Sequence, residues 1–383
     1  MNTKVCVVTG SRADYGLLKG VMREIKASRD LELQVIVTGM HLSGDFGSTY
    51  LEVERDGFEF SWTVDMLLNS DSPAAIAKSI GIGVMGFADA FVNLQPNYVV
   101  LLGDRFEIFA AASAAYTIGI PIVHLHGGEA TEGSLDEGYR HGITKLSSLH
   151  LTSTIEYRKR VIQMGHRPES VHVVGALGLD AAENVNPVCL RTMEDFLGIP
   201  LCGDSLLVTF HPETHKAEPV EDQIAGMLDA LARVEASIIF TMPNADAGGR
   251  KIWGLIESFV AKNSSRACLH RSLGQDRYLS LLCRVSAVVG NSSSGIIEAP
   301  TFGIGTVNIG RRQAGRIHAS SVLNCNTSRD DILAGINKAL DPSFRKLARE
   351  VVNPYGTPGA SKRVMGILRA WDWRDTPQTF YDL

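Results

Sequence analysis

The stretch "YVVLLGDRFEIFAAASAA" (98–115) joins an uninterrupted apolar run to an alanine-rich segment with helical character. Apolar residues at every position, without alternation, are typical of a strand buried on both faces of a parallel sheet. The polar residues Asp104 and Arg105 follow this run directly. Because ligands of parallel α/β proteins bind beyond the carboxyl ends of the strands, the stretch predicts a fold class and also the position of a site.

The same order of strand and helix recurs along the chain. Helical spacing of apolar residues, as in "YGLLKGVMREIKAS" (15–28), separates the apolar runs. This order predicts a doubly wound α/β protein, with two sheets favoured over one very large sheet. We place the boundary between the sheets near "GALGLDAAENVNP" (175–187), which is rich in small residues. The predicted strands are 5–9, 33–38, 98–103, 120–125, 148–152, 170–175, 206–210, 237–242, 286–290 and 306–310.

The composition narrows the class of protein. The 383 residues are 45% hydrophobic and 21% charged, which is typical of a soluble protein with sizeable cores. A net charge of −5 predicts neither a nucleic-acid partner nor an anionic membrane surface. Six scattered cysteines without a CxxC pair favour a reducing compartment, so we expect a cytoplasmic protein. We expect no membrane span, since no stretch approaches the roughly 18 apolar residues that one needs.

The stretch "VVGNSSSGIIEAP" (288–300) places three serines and a glycine after a predicted strand. One serine is enough to cap a helix, which is the simpler interpretation. Three hydroxyl groups beside exposed amides at a helix start suit a phosphate group. Glu298, one turn later, suits a pair of ribose hydroxyls instead. The stretch therefore predicts a nucleoside diphosphate site.

Further polar loops follow other predicted strands. In "TGSRADYG" (9–16), Arg12 can meet a phosphate and Asp14 can cap the next helix. The loop "VHLHGGEATEGSLDEGYRHGITK" (123–145) is longer than ordinary connections and rich in acids and histidines, which is typical of a functional loop. Two of its histidines, His124 and His126, have a spacing compatible with metal binding, but no further motif completes a metal site, so none is predicted. "GIGVMG" (81–86) matches a dinucleotide motif but follows a helical stretch, and we interpret it as a helix-packing site.

Taken in order, nine stretches resemble the hydrolysing UDP-N-acetylglucosamine 2-epimerases of sialic acid biosynthesis, and the resemblance covers nearly the whole chain. It implies a GT-B-like fold, with two Rossmann-like domains (1–175 and 176–360) and an active-site cleft between them. It also implies a C-terminal helix within 361–383 that packs back on the first domain. The stretches are "GSRADYG", "VTGMHLSGDFGSTY", "GDRFE", "HGGE", "RHGITKLSSLHLTS", "FHPET", "NADAG", "GNSSSGIIEAP" and "GRRQAGR".

The implied reaction converts UDP-GlcNAc and water into N-acetylmannosamine and UDP, by anti elimination to 2-acetamidoglucal followed by hydration. It implies no cofactor and no metal, a small-molecule nucleotide-sugar partner, and a homodimer or homotetramer. The alternative substrate is UDP-N,N′-diacetylbacillosamine, used in legionaminic acid synthesis. A non-hydrolysing 2-epimerase fits the motifs less well. A GT-B-like nucleotide-binding protein or a glycosyltransferase is the alternative from a different class.

The resemblance also implies roles for individual residues. Many relatives read "HIEGGE" where this chain reads "HLHGGE" (124–129), so a histidine stands where they carry a catalytic glutamate; a subset of bacterial relatives shares the histidine. Which acid transfers the proton therefore stays open among three of the candidates, Glu129, Asp136 and His126. The full set of catalytic candidates is Asp104, Glu129, Asp136, His211 and His126. The candidate contacts to UDP or sugar are Arg12, Asp14, His41, Arg105, Asn244, His270, Arg271, Ser292, Ser293, Ser294, Gly295, Glu298 and Arg312.

Overall fold

The computed structural model describes residues 2–70, 72–132, 134–183, 185–213, 219–242, 248–376 and 379–383. The chain divides into two compact units. The first unit contains Met1–Glu129, Asp136–Ala181 and Tyr355–Leu383, and the second contains Ala130–Leu135 and Ala182–Pro354.

The described residues form thirteen strands and fifteen α-helices, which alternate through most of the chain. The strands are β1 Thr3–Thr9, β2 Leu31–Thr38, β3 Trp62–Val64, β4 Tyr98–Leu102, β5 Ile122–Leu125, β6 Leu149–Thr152, β7 Val171–Val173, β8 Ser205–Thr209, β9 Ser237–Thr241, β10 Ala267–His270, β11 Ala287–Gly290, β12 Gly305–Ile309 and β13 Val322–Cys325. The helices are α1 Arg12–Lys26, α2 Tyr50–Arg55, α3 Pro73–Leu94, α4 Phe106–Ile118, α5 Asp136–Leu146, α6 Ile155–Gln163, α7 Gly178–Glu183, α8 Leu190–Leu197, α9 Val220–Leu231, α10 Gly249–Lys262, α11 Gly274–Leu282, α12 Ser294–Ile297, α13 Arg329–Leu340, α14 Pro342–Glu350 and α15 Ala360–Ala370.

Each unit is built on its own parallel sheet. The strand order is β3-β2-β1-β4-β5-β6-β7 in the first unit and β10-β9-β8-β11-β12-β13 in the second. In both, the order reverses direction after a central strand, as in a Rossmann-like doubly wound sheet, which confirms the predicted fold class. The reversal lies between β1 and β4 in the first unit and between β8 and β11 in the second. Ligands of such sheets bind at that crevice, so the loops after these four strands are the places to look for a site.

All ten predicted strands are present, and three further strands, β3, β10 and β13, were missed. Each missed strand lies at an edge of its sheet. Edge strands are covered less completely than central ones, so their sequences need not be continuous apolar runs. β3 has only three residues, and β10 and β13 contain His270 and Asn324 respectively.

The C-terminal helix packs in the first unit, where Val364, Met365 and Leu368 join the core that includes Leu18 and Met22 of α1. The first unit runs on to Ala181, which lies inside the stretch 175–187 near which the sequence places the boundary. A helix cap lies at this end of the first unit. The carboxylate of Asp180 accepts hydrogen bonds from the backbone amides of residues 359–361 at 2.6–2.7 Å, which ties α7 to the start of α15.

The expectation that no stretch is long and apolar enough to span a membrane is wrong for α3. This helix has 22 residues and a mean hydropathy of 1.5 over its most apolar window. Gly83 and Gly86 let it pack closely, since a Cβ at Gly83 would lie 2.8 Å from Met66 and one at Gly86 would lie 2.7 Å from Val64. The interpretation of "GIGVMG" as a packing site is therefore confirmed.

Candidate active site

At the end of β1, the turn into α1 is capped by Ser11, whose Oγ accepts a hydrogen bond from the backbone amide of Asp14 at 3.3 Å. The expected capping role of Asp14 is therefore wrong, because Asp14 lies in the first turn and is itself buried. Burial, and then the charge of Glu107, raise the pKa of Asp14 to about 7. Arg12, the first residue of α1, is half-buried.

Glu107 lies beneath this turn and is fully buried. A Cβ at Gly10 would lie 2.5 Å from its Cγ, and one at Gly39 would lie 3.3 Å from its Oε1, so both glycines make room for it. Its Oε1 accepts a hydrogen bond from Nε of Arg105 at 3.0 Å. Arg105 is thus held in a buried ion pair. Glu107 was not predicted as a site residue, although a carboxylate among the apolar residues that open α4 is a signal.

His41 is completely buried after β2. Its Nε2 lies 2.9 Å from Oγ1 of Thr9, and its Nδ1 lies 2.8 Å from Oγ1 of Thr49. Burial lowers its pKa to about 4, so the ring is neutral near neutral pH. Both ring nitrogens are engaged by threonine hydroxyls, which gives His41 a structural role in the first unit.

Asp104 follows β4 and forms an ion pair with Arg140 of α5. The Arg140 side chain is only 1% exposed, whereas that of Asp104 is 21% exposed. Arg140 also donates to the backbone oxygen of Glu129 at 2.9 Å and to Oε2 of Glu137 at 3.0 Å. One buried guanidinium thus joins the end of β4, the loop after β5 and helix α5. Arg140 was not among the predicted site residues.

The loop after β5 brings a second carboxylate into the same region. Oε1 of Glu129 lies 3.0 Å from Nδ1 of His126 and accepts a hydrogen bond from Oγ of Ser153 at 2.8 Å. His126 adopts a left-handed backbone conformation, with φ of 63°. Asp136 opens α5 and is also buried.

His124 does not complete a metal site. Its Nε2 lies 2.8 Å from the backbone oxygen of Gly103, and its Nδ1 lies 3.1 Å from Oγ1 of Thr144. Burial lowers its pKa to about 4. Within the described part of the chain, no group of three or more histidine, cysteine or acidic side chains could hold a metal ion.

In the second unit, Asn291 fixes the ends of β8 and β11 against each other. Its Oδ1 accepts from the backbone amide of His211 at 2.7 Å, and its Nδ2 donates to the backbone oxygen of His211 at 2.8 Å. Gly290 is required beside it, because its φ is 130° and a Cβ would overlap the backbone oxygen of Thr209. His211 is buried at this junction. The sequence analysis did not identify Asn291, although its place directly after a strand was the signal.

The serine loop begins a helix at Ser294, but α12 has only four residues. A macrodipole of that length is weak, so any phosphate site here depends on amide and hydroxyl groups. The hydroxyl of Ser293 makes no capping bond. Oγ of Ser292 accepts from the amide of Ser294 at 3.4 Å, and Oγ of Ser294 accepts from the Tyr278 hydroxyl at 2.6 Å. Simple capping therefore does not account for the three serines.

Several other candidates in the second unit lie near this loop or at the edge of the sheet. Arg312 is buried and donates to the backbone oxygen of Asn291 at 3.4 Å. His270, at the end of the edge strand β10, stacks on Phe196 with ring centroids 4.8 Å apart, and burial lowers its pKa. Arg271 is exposed over Trp253.

Three further candidates complete the account of the second unit. Gly295 packs so closely that a Cβ would lie 2.7 Å from the Thr306 side chain. Glu298 is half-buried at the end of α12. Asn244 lies outside the described residues.

Comparison with known proteins gives a consistent result. Residues 23–369 match the family described as UDP-N-acetylglucosamine 2-epimerase. A Campylobacter jejuni protein named GDP/UDP-N,N′-diacetylbacillosamine 2-epimerase (hydrolyzing) is 38% identical over 90% of this chain and 87% of its own length. The polysialic acid biosynthesis protein P7 of Escherichia coli is 36% identical over 99% of this chain and 97% of its own.

A solved structure agrees with the fold of the chain. The crystal structure of UDP-GlcNAc 2-epimerase from Neisseria meningitidis bound to UDP-GlcNAc matches with a TM-score of 0.79. The two chains are 17% identical, and the match covers 96% of this chain and 100% of that one.

Proposed function

The chain belongs to the UDP-N-acetylglucosamine 2-epimerase family, and on this premise we propose that it is a hydrolysing 2-epimerase of UDP-N,N′-diacetylbacillosamine. It is a UDP-sugar 2-epimerase; the release of free sugar and the identity of that sugar are the proposal. The 38% identical relative supports both parts by its name. It favours the alternative substrate of the sequence analysis over UDP-GlcNAc.

The observation that carries the reaction type is the arrangement around Arg140. This buried guanidinium contacts the carboxylate of Asp104 and the backbone oxygen of Glu129. Arg140 thereby fixes the carboxylate of Asp104 and the backbone of Glu129, whose own carboxylate is held by His126 and Ser153. Epimerisation through an elimination needs one group to remove a proton from sugar C2 and another to return a proton, and two fixed acids suit that need.

The proposed reaction has two steps. A base removes the C2 proton, and the C2–H electron pair forms a C1=C2 double bond. The C1–O bond to the diphosphate breaks at the same time, and UDP leaves with the bonding electrons. In the second step the oxygen of water bonds to C1, a proton adds to C2 on the opposite face, and a base on the enzyme takes the remaining water proton. The products are UDP and the free C2-epimeric sugar.

The second unit is the proposed binding site for UDP. Ser292 and Ser293 follow the end of β11, next to the reversal in strand order, and the half-buried Glu298 lies at the end of the short helix α12 that comes next. Hydroxyl and amide donors at this loop suit the diphosphate, and the carboxylate suits the ribose. Arg312 contributes positive charge beside Asn291, which favours the leaving diphosphate.

UDP-GlcNAc is the second candidate substrate, and one observation favours it. The relative named for polysialic acid biosynthesis is 36% identical over 99% of the chain, almost as similar as the diacetylbacillosamine enzyme. Sialic acid synthesis begins from N-acetylmannosamine in the resemblance described above.

The experiment is a comparison of the two nucleotide sugars with one preparation of the enzyme. Released UDP and free sugar are quantified by chromatography, and kcat/KM is measured for each substrate. We expect UDP-N,N′-diacetylbacillosamine to be preferred by at least about tenfold, the gain from one well-placed amide contact. A preference for UDP-GlcNAc would reverse the substrate assignment, and a UDP-linked epimer without free sugar would reject hydrolysis.

A further inference from the structure

We infer that His126 is a positioning residue, and that Glu129, which it holds, exchanges the proton with sugar C2. The inference rests on the proposed function. It deepens that function by assigning one acid among the three candidates that the sequence leaves open. It depends on contacts within the first unit alone.

The backbone of His126 is the first observation. Its φ of 63° places it in the left-handed region, which only about a few per cent of non-glycine residues adopt, histidine, asparagine and aspartate more often than the rest. Such a conformation persists only where the surroundings fix it. The amide of His126 donates to the backbone oxygen of Leu151 at 3.0 Å, which anchors the residue to the end of β6.

The second observation assigns the proton on the ring. The backbone amide of Leu177 lies 3.3 Å from Nε2 of His126, and a backbone N–H can only donate. Nε2 is therefore the acceptor, and in a neutral imidazole the other nitrogen, Nδ1, carries the proton. Nδ1 lies 3.0 Å from Oε1 of Glu129 and donates to it. Both nitrogens of a side chain that is only 7% exposed are thus used inside the unit.

These two hydrogen bonds exclude His126 from proton transfer in this state. A substrate proton could bind only at Nε2, and that nitrogen faces the amide of Leu177. Protonation there would set two donors against each other. The ring is therefore suited to hold a neighbour and not to act as a base.

Glu129 is the neighbour that it holds. Oε1 receives hydrogen bonds from His126 and from the hydroxyl of Ser153, and the backbone oxygen is bound by Arg140. Both the carboxylate and the backbone of Glu129 are thus held in place. Proton transfer requires such a fixed geometry. Position 126 carries a histidine, but Glu129, three residues later, still provides a carboxylate in this loop.

Four variants test the inference: His126→Asn, His126→Gln, His126→Gly and Glu129→Gln. Asparagine tolerates the left-handed backbone and places an amide N–H near the position of Nδ1. Glutamine reaches instead toward the position of Nε2. Glycine relieves the backbone constraint and offers no donor. Each variant is assayed for kcat and KM on the substrate that the wild type turns over, and its UDP affinity is measured by calorimetry to verify folding.

We expect His126→Asn to retain kcat within about tenfold of the wild type, while His126→Gln and His126→Gly lose about 100-fold, the cost of a misplaced group. Glu129→Gln should lose about 1,000-fold or more. KM and UDP affinity should change little. A His126→Gly enzyme as active as His126→Asn would reduce the role of the histidine to backbone shape and overturn the inference.

A His126→Asn enzyme as inactive as Glu129→Gln would show instead that the imidazole itself transfers the proton. An unimpaired Glu129→Gln enzyme would also reject the inference. A wild-type protein that turns over neither nucleotide sugar would reject the proposed function itself, and so the two failures are distinguishable.

Discussion

The two units have the same kind of sheet, but the polar side chains that follow its strands have different partners. In the first unit, carboxylates are bound to buried cations or to histidine: Asp104 to Arg140, and Glu129 to His126. In the second, Asn291 joins two strand ends, and the serine hydroxyls of the next loop remain half-buried. Fixed carboxylates suit proton transfer, whereas hydroxyl donors and the buried cation of Arg312 suit binding of a diphosphate. Changes in the first unit should therefore affect kcat, and changes in the second should affect affinity for UDP.

The largest effect is expected from Asp104→Asn. Asparagine keeps a carbonyl oxygen for Arg140 but removes the charge and the basicity. We expect kcat to fall about 1,000-fold or more, because general acid–base groups contribute on that scale, while calorimetric UDP affinity stays within about twofold. Glu137→Gln is the matched control, since Glu137 also contacts Arg140 and is similarly exposed, at 25% against 21% for Asp104, but is not a candidate catalytic acid. Its kcat should stay within a few-fold of the wild type. Loss of UDP affinity with unchanged turnover per bound substrate would reverse the roles of the units.

The next effect is a dependence of stability on pH from Asp14. Its pKa is about 7 in the folded protein and 3.8 in the reference state, so the folded state binds more protons between these values. Stability is therefore lost as pH rises from about 4 through 7, by an amount up to about 4 kcal/mol. Asp14→Asn should remove that loss, so its advantage over the wild type in urea denaturation should be larger at pH 8 than at pH 5.5.

The control for this prediction is Asp89→Asn, which changes an exposed aspartate of α3 and should show no such trend. An equal effect of Asp14→Asn at both pH values would indicate that Asp14 is ionised at both. It would contradict a pKa raised by burial and by the charge of Glu107.

A smaller effect is expected from the double variant Ser293→Ala and Glu298→Ala in the second unit. Loss of a hydroxyl donor and of the ribose contact should weaken UDP binding by about 10- to 100-fold, or about 1.4 to 2.7 kcal/mol. kcat at saturating substrate should stay within a few-fold. Ser258→Ala, which removes a hydroxyl bonded only to its own helix, is the control. Unchanged calorimetric affinity would remove the UDP site from this loop.

The smallest effect concerns the helix cap that attaches α15 to the first unit. Asp180→Ala removes the acceptor for three backbone amides and should lower stability by about 1–2 kcal/mol. Asp341→Ala removes a comparable cap from α14 in the second unit. Hydrogen exchange should show the loss of stability in the first unit for Asp180→Ala and in the second unit for Asp341→Ala. If each variant raised exchange equally in both units, the prediction that each cap stabilises its own unit would be wrong.

The central strands of both sheets could be predicted because burial on both faces demands continuous apolar runs. Three of the four edge strands could not, since β3, β10 and β13 are short or carry polar residues; the fourth, β7, was predicted. The small residues of 175–187 indicated a boundary there, but the cap by Asp180 could not be predicted, because it joins positions 180 and 359–361, which are far apart in sequence.

Some residues of the candidate site could be predicted from the sequence and others could not. Residues directly after strands, such as Arg12, Asp104 and Ser292, could be proposed because strand ends are where ligands of such sheets bind. Arg140 could not, since a charged residue within a polar helix looks like a solvated surface until the fold buries it. Glu107 shows the same limit, because the space that it fills is created by Gly10 and Gly39 from other strands. Sequence patterns predict on which strand end or helix a residue lies. Its contacts with other side chains depend on tertiary packing.

The most direct test of the central claim is a proton NMR time course of the enzyme in D₂O, with UDP-N,N′-diacetylbacillosamine and UDP-GlcNAc in separate samples. The account predicts free sugar of inverted C2 configuration, with deuterium at C2 in every product molecule, together with an equal amount of UDP. Free sugar that keeps its original C2 proton and configuration would mean simple hydrolysis without elimination, and would contradict the account.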